Sequence, residues 1–130
     1  MSRIVLDTSA LLAILHGEPG AETVTERLDS LGTFAMSTVN ASEAYGKLLG
    51  RGVSPAEAWE AVTASVPLIE PFDEEQARIA GQLLPRTRSL GLSLGDRACL
   101  ALAVVLKAPV YTADRAWKGL KLGVAIHIIR

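Results

Sequence analysis

The sequence has little of several things that define other protein classes. It has one cysteine, Cys99, so an internal disulfide is excluded, and its apolar neighbours predict a core residue of a reduced protein. With 13 basic and 14 acidic residues the net charge is only -1, which argues against a general binder of polyanions. The longest apolar run, CLALAVVL, is too short to cross a bilayer, and MSRIVLD is too short for a signal peptide. We therefore expect a cytoplasmic protein without a membrane partner.

Hydrophobic residues make up 49% of the 130 positions, enough for one domain with a real core. Short β-branched runs alternate with helical runs. The pattern predicts strands at 3–7, 33–38, 67–72, 108–114 and 124–129, helices at 9–15, 21–31, 40–49, 54–65, 73–84 and 93–107, a loop at 85–92 and a helical turn at 115–120. On the helix at 21–31, Val24, Leu28 and Leu31 share one face. Such alternation predicts an α/β fold whose mostly parallel five-stranded sheet carries helices on both faces.

Four acidic residues lie at the boundaries of these elements. Asp7 ends the first strand and Asp114 follows the fourth, while Glu43 and Asp96 lie in the first turns of two helices. Ligands of open parallel sheets bind outside the carboxyl ends of the strands. We therefore expect all four carboxylates to converge on one edge of the sheet.

Each of the four also fits a helix cap. The pattern Asn-x-x-Glu at 40–43 and the pattern Ser-x-x-Asp at 93–96 are typical of capping boxes, and Asp7 and Asp114 precede helical segments that they can cap. Asp73 is interpreted as a cap and nothing more. Capping alone, however, does not require four separate elements to bring carboxylates to one edge, where they repel each other unless a cation compensates.

The donor types indicate which cation. Carboxylate oxygens without histidine or cysteine suit Mg²⁺ or Mn²⁺. Neither histidine adds to such a site: His127 alternates with isoleucines in a strand and is expected to be exposed or satisfied locally, and His16 precedes a glycine-rich break and is expected at the surface.

Four segments carry a family resemblance: IVLDTSALLAIL, STVNASEAYGKL, SLGDRACLALA and VYTADRAWKGL. In order and spacing they resemble the acidic motifs of PIN-domain nucleases, above all VapC-type toxins of toxin–antitoxin modules. The resemblance implies that residues 1–130 are a single PIN domain of α/β/α type, in which Asp7, Glu43, Asp96 and Asp114 bind Mg²⁺ or Mn²⁺. It further implies supporting roles for three hydroxyl residues that hold the carboxylates or the water shell of the metal: Thr8, Ser9 and Thr112.

The expected reaction is cleavage of single-stranded RNA by a metal-activated water, leaving 5′-phosphate and 3′-hydroxyl ends. Candidates for phosphate contacts near the site are Arg86, Arg88, Arg97, Arg115 and Lys118. The resemblance also implies a homodimer and a VapB-type antitoxin as partner. Apolar residues available for such contacts, or for the core, are Leu11, Leu12, Leu15, Leu48, Leu49 and Trp59.

Two other functions remain open on the sequence. A phosphatase of the haloacid dehalogenase type also has an aspartate at the end of a strand, but it needs a second acid two residues later, where this chain has Ser9. A non-catalytic α/β module that binds a protein or regulates RNA is the other alternative.

Overall fold

The computed structural model describes residues 2–130, without the side chains of residues 28–31. Its sheet has five strands, all parallel, in the order β3-β2-β1-β4-β5. Their bounds are β1 Ser2–Leu6, β2 Gly32–Ser37, β3 Leu68–Glu70, β4 Val110–Thr112 and β5 Ile126–Ile128. The expected α/β class and five-stranded sheet are confirmed, and the sheet is fully rather than mostly parallel.

Seven α-helices connect the strands in the described part of the chain. They are α1 Thr8–His16, α2 Ala21–Leu31, α3 Thr38–Gly50, α4 Pro55–Ser65, α5 Glu74–Gln82, α6 Leu84–Thr87 and α7 Leu94–Leu106. Successive residues of β1 supply two cores: Ile4 and Leu6 pack with α1 to α4, and Val5 packs with α5 and α7. Helices therefore cover both faces of the sheet, in an α/β/α sandwich.

Several local expectations hold and others need correction. Cys99 is fully buried, His16 is exposed, and the half-buried His127 stacks on Tyr111 with ring centroids 4.5 Å apart. The expected loop at 85–92 instead contains α6 and a 3₁₀ turn, Arg88–Leu90. Sequence reasoning missed both because four- and three-residue helical segments carry no periodic pattern. Of the face predicted for α2, Val24 is buried, whereas the side chains of Leu28 and Leu31 lie outside the described residues.

The strand order creates a topological switch point between β1 and β4. From β1 the chain builds β2 and β3 to one side, then returns to place β4 and β5 on the other. Crossovers diverging to opposite sides leave a crevice at the carboxyl ends of the two central strands. Asp7 directly follows β1 and Thr112 ends β4, so both lie at this crevice. Among the described helices, none is long and apolar enough to cross a membrane.

Candidate metal-binding acidic site

Asp7 is held at the switch point by hydrogen bonds to both of its carboxylate oxygens. Its Oδ1 accepts from the backbone N–H of Ala10 at 2.8 Å and from the Ser9 hydroxyl at 2.7 Å. Its Oδ2 accepts from the Thr112 hydroxyl at 2.6 Å. Asp7 is only 4% exposed. It therefore caps α1 and is oriented by a strand 105 residues away, so the cap interpretation and the site interpretation both apply.

Thr112 and Ser9 connect the first acid to the last. The Thr112 Oγ1 that donates to Asp7 also accepts from the backbone N–H of Asp114 at 3.0 Å. Ser9 Oγ accepts from the backbone N–H of Ala113 at 2.9 Å. The two hydroxyls thus tie the end of β4 to the start of α1, which sets where Asp114 emerges from the sheet.

Glu43 is positioned by three neighbours from three different elements. Its Oε1 accepts from the Thr8 hydroxyl at 2.9 Å and from Asn40 Nδ2 at 3.1 Å. Its carboxylate lies directly against Gly95, where a built Cβ falls 2.5 Å from Oε1 and 2.6 Å from Oε2. Asn40 Nδ2 also donates to the Gly95 carbonyl at 3.0 Å. The carboxylate therefore lies between α1 and α7. Only glycine at position 95 leaves room for it there, because any side chain would overlap it.

The predicted capping box of Asn40 with Glu43 is wrong. Helix α3 begins at Thr38, two residues earlier than expected, and its N-cap is Ser37, whose hydroxyl accepts from the backbone N–H of Val39 at 3.1 Å. Asn40 is only 1% exposed and its amide joins Glu43 to α7. The three-residue spacing of Asn and Glu signalled a contact, but between two side chains of the helix itself. Because α3 begins at Thr38, Glu43 lies in its second turn and not in the first turn, as expected from the sequence.

Asp96 and Asp114 both combine capping with access to solvent: Asp96 is half-buried and Asp114 is exposed. Asp96 Oδ2 accepts from the backbone N–H of Ser93 at 2.9 Å, which completes the predicted capping box of α7. Asp114 Oδ1 accepts from the backbone N–H of Ala116 at 2.9 Å and caps a 3₁₀ turn. No described residue donates to Asp96 Oδ1 or Asp114 Oδ2. Each aspartate therefore keeps one oxygen for another partner.

The electrostatics reflect the crowding of the acids. Burial raises the pKa of Asp7 to about 6, against hydrogen bonds from Thr112, Ala10 and Ser9 that lower it, and the charge of Asp96 adds to the rise. Burial also raises the pKa of Cys99, followed by the negative charges of Asp7, Asp96 and Glu43. Within the residues that the structure describes, no Lys or Arg forms an ion pair with any of the four acids. The acids thus share an environment that no described cation neutralises.

The donor set suits a hydrated hard cation. All four side chains offer oxygen, the ligand atom that Mg²⁺ and Mn²⁺ prefer. Across residues 2–130 no group of three or more His, Cys, Asp or Glu side chains is arranged to hold a metal directly. Mg²⁺ typically keeps several waters and takes only one or two protein carboxylates. The oxygen donors of the four acids therefore fit Mg²⁺ or Mn²⁺ by type.

The five predicted phosphate contacts do not lie together. Arg97 is half-buried and its Nη1 donates to the Ala80 carbonyl at 3.0 Å, toward α5. Arg86 Nη2 donates to the Lys121 carbonyl at 2.7 Å. Arg88 is exposed on the 3₁₀ turn after α6. The sequence analysis also missed the role of Gly95, which leaves room for the Glu43 carboxylate. The signal that could have revealed it was a glycine inside a predicted helix.

The architecture and the site define a parallel α/β/α domain with an acidic cluster at its switch point, carried by four different elements. A family model agrees: residues 4–121 match the PIN domain. The chain belongs to the PIN domain family. No curated protein sequence matches it significantly.

Solved structures show the same fold. FitAcB from Neisseria gonorrhoeae is 25% identical, with 95% of this chain and 96% of that chain covered and a TM-score of 0.66. VapBC2 from Rickettsia felis, bound to a DNA fragment from its promoter, is 15% identical, with 95% and 96% covered and a TM-score of 0.73. VapC20 from Mycobacterium tuberculosis, a Sarcin-Ricin loop cleaving toxin, is 18% identical, with 93% and 98% covered and a TM-score of 0.70.

Proposed function

We propose that residues 1–130 act as a single PIN domain that cleaves single-stranded RNA in the cytoplasm with Mg²⁺ or Mn²⁺, as the toxin of a VapBC-type module. What supports this proposal is a set of contacts that link the segments of the four acids: Thr112 bonds Asp7 and the Asp114 N–H, and Glu43 bonds Thr8 and lies against Gly95, next to Asp96. Among the described residues no Lys or Arg forms an ion pair with any of the four. Such clustering is costly in a bare protein and useful where a divalent ion meets a phosphodiester. VapC20, which shares the fold, is described as a Sarcin-Ricin loop cleaving toxin.

In this mechanism each acid has a distinct task. Asp7, Asp96 and Asp114 hold the ion directly or through water, with Asp7 fixed by the hydroxyls of Ser9 and Thr112. Glu43 is a further ligand and orients the attacking water, because Thr8 and Asn40 hold one oxygen and leave the other free of described donors. The chemistry that Mg²⁺ supplies when bound is a more acidic water and neutralisation of charge on the phosphate.

The decisive experiment compares two helix-capping aspartates. Asp96→Asn retains a side chain that can cap α7, and Asp73→Asn makes the same change at the N-cap of α5, outside the site. With purified protein, RNA and Mg²⁺ or Mn²⁺, wild type and Asp73→Asn should cleave, while Asp96→Asn should not. Cleavage that persists in EDTA, or equal cleavage by Asp96→Asn, would contradict the proposal. Hydrolysis of a phosphomonoester with no action on RNA would favour the phosphatase alternative.

We also propose that the face formed by α3 and α4 contacts an antitoxin. Solved structures with this fold include a toxin–antitoxin complex from Klebsiella pneumoniae and a member of the VapBC family of toxin–antitoxin systems from Mycobacterium tuberculosis. Of the apolar residues considered for contacts, Leu11, Leu12 and Leu48 are core, whereas Leu49 and Trp59 are 36% and 44% exposed. Trp59 packs edge-to-face on Tyr45, with centroids 5.4 Å apart.

The α3–α4 contact is testable by fluorescence. A cavity of about 390 Å³ on another side of α4 is lined by Leu15, Glu57 and Glu60 among others, so the fluorescence test reports on the Trp59 side alone. Adding the product of the adjacent small reading frame should change Trp59 emission and suppress RNA cleavage, and Trp59→Ala should weaken that suppression. Suppression unaltered in Trp59→Ala would place the antitoxin elsewhere. The proposed homodimer is checked by the mass of the isolated toxin in light scattering.

A further inference from the structure

Three basic side chains meet at one cavity on the same edge of the sheet as the acids. Arg115, Lys118 and Arg130 line a space of about 260 Å³ whose apolar wall is Ile128. All three basic residues are exposed. Arg115 belongs to the turn after β4 and Arg130 follows β5, so the cluster forms only when the two strands pair. Sequence spacing gave no indication of Arg130, which lies 15 residues from Arg115.

The cavity lies one strand away from the acidic site. Ile128 on β5 pairs with Thr112 on β4, and Thr112 donates to Asp7 at 2.6 Å. Neighbouring strands in a sheet are about 4.8 Å apart. Asp114 directly precedes Arg115 in sequence. A nucleic-acid strand whose phosphate lies over Asp7 and Asp114 therefore passes close to this cavity.

Main-chain contacts hold two of the three cations in place. Arg115 Nε donates to the Arg130 carbonyl at 3.1 Å. Arg130 Nη1 donates to the Pro19 carbonyl at 3.2 Å and pairs with Glu18 Oε1 at 3.2 Å. In the part of the chain that is described, the side chain of Lys118 has no hydrogen-bond or ion-pair partner. Glu18 pairs with one of the three cations, Arg130, and this leaves the cavity with an excess of positive charge beside the acidic site.

The other predicted phosphate contacts lack this arrangement. Arg97 points to Ala80 and Arg86 to Lys121, and both use guanidinium nitrogens on carbonyls outside the cavity. The fold therefore groups Arg115 and Lys118 with Arg130 around one cavity, which the remaining basic candidates do not line. Guanidinium and ammonium groups gathered around a small pocket are donors suited to a phosphate group.

We infer that Arg115, Lys118 and Arg130 form a subsite for a phosphate of the RNA backbone next to the phosphodiester that is cut. The inference rests on the proposed ribonuclease function and names the part of the surface that receives the flanking strand. Backbone phosphates carry no sequence information, so the subsite sets the register of the RNA in the site and leaves base choice to other contacts.

The test is the salt dependence of RNA binding in EDTA, where metal-dependent cleavage does not occur. A fluorescein-labelled oligouridine is titrated with wild type and single variants at several salt concentrations, followed by anisotropy. Each contact with a single strand contributes about 0.7 to the slope of log K against log salt. Arg115→Gln, Lys118→Gln and Arg130→Gln should each reduce the slope by about that amount, while Lys118→Arg retains it. Arg78→Gln, exposed on α5 outside the cavity, is the matched control.

The variant Glu18→Gln gives a result that a folding defect could not produce, because it should bind RNA more strongly. Removing the carboxylate that pairs with Arg130 should strengthen RNA binding. Absence of binding by wild type at low salt, unchanged slopes in the cavity variants, or an equal change in Arg78→Gln overturns the inference. Failure of the ribonuclease proposal looks different, since wild type then binds with the expected slopes but leaves RNA intact when Mg²⁺ is added.

Discussion

Replacing Gly95 with alanine should displace Glu43 while leaving the fold intact. The added Cβ falls 2.5 Å, 2.6 Å and 2.7 Å from Oε1, Oε2 and Cδ of Glu43, and ordinary contact begins at 3.4 Å. The carboxylate therefore has to retreat by about 0.7 to 0.9 Å. The atoms in the way belong to the end of a flexible, exposed side chain, so the side chain rather than the backbone moves. Its bonds from Thr8 at 2.9 Å and Asn40 at 3.1 Å are then stretched or lost.

The free energy of unfolding should change little. Alanine inside a helix is favoured over glycine by up to about 1 kcal/mol, and loss of a hydrogen bond costs about 0.5 to 1.5 kcal/mol. These effects oppose each other, so the net loss stays within about 2 kcal/mol even if both hydrogen bonds are lost. Activity should respond far more strongly, because a misplacement of about 1 Å can cost roughly 100-fold in rate.

The assay pairs RNA cleavage with Mg²⁺ and urea unfolding of the same samples. Gly46→Ala is the matched control, since it makes the same change inside α3 where nothing lies within 4 Å of the new Cβ. Gly95→Ala should lose cleavage at near wild-type stability, and Gly46→Ala should keep both. If the effect acts through Glu43, Gly95→Ala should add little to Glu43→Gln. Wild-type cleavage by Gly95→Ala would refute the assigned position or role of this carboxylate.

Three further outcomes follow from Asp7 and its partners. Because the folded-state pKa of Asp7 is raised to about 6, the folded chain binds more protons than the unfolded chain between about pH 4 and pH 6, and metal-free stability falls as pH rises through that window. Asp7→Asn should abolish this fall. In EDTA at pH 7 its free energy of unfolding, measured with urea, should exceed that of wild type by up to about 3 kcal/mol. A less stable variant would contradict the burial cost. Mg²⁺ or Mn²⁺ at a concentration of about 100 times Kd should stabilise wild type by about 2.7 kcal/mol and so raise its Tm, but it should not raise the Tm of Asp7→Asn. Equal Tm shifts in the two proteins would exclude Asp7 as a ligand. Thr112→Val removes the donor to Asp7 and the acceptor of the Asp114 N–H. It should therefore lower the free energy of unfolding by about 1 to 3 kcal/mol and abolish most of the RNA cleavage. The control Thr63→Val, on α4, should change neither in the same assays.

The capping and site interpretations of the acids, which looked like alternatives in the sequence, turn out to be compatible for three of them. Asp7, Asp96 and Asp114 each cap a helical segment with one oxygen. A carboxylate has about four lone-pair positions, so a cap does not use up its capacity. Only Glu43 has no capping role, and there the predicted box with Asn40 was wrong because the helix starts earlier.

The sequence by itself determined the class of the fold and the edge at which the acids lie. Strand and helix periods are local, and each of the four acids stands within a few residues of a strand or helix boundary, so neighbouring residues suffice to place it. Only the tertiary structure decided what each acid touches: Thr112 reaches Asp7 across 105 positions, and Gly95 lies under Glu43. It likewise joined Arg130 to Arg115 and turned Arg97 away. Such contacts depend on how strands pair and helices pack, and those relations span distances along the chain over which no periodic pattern carries information.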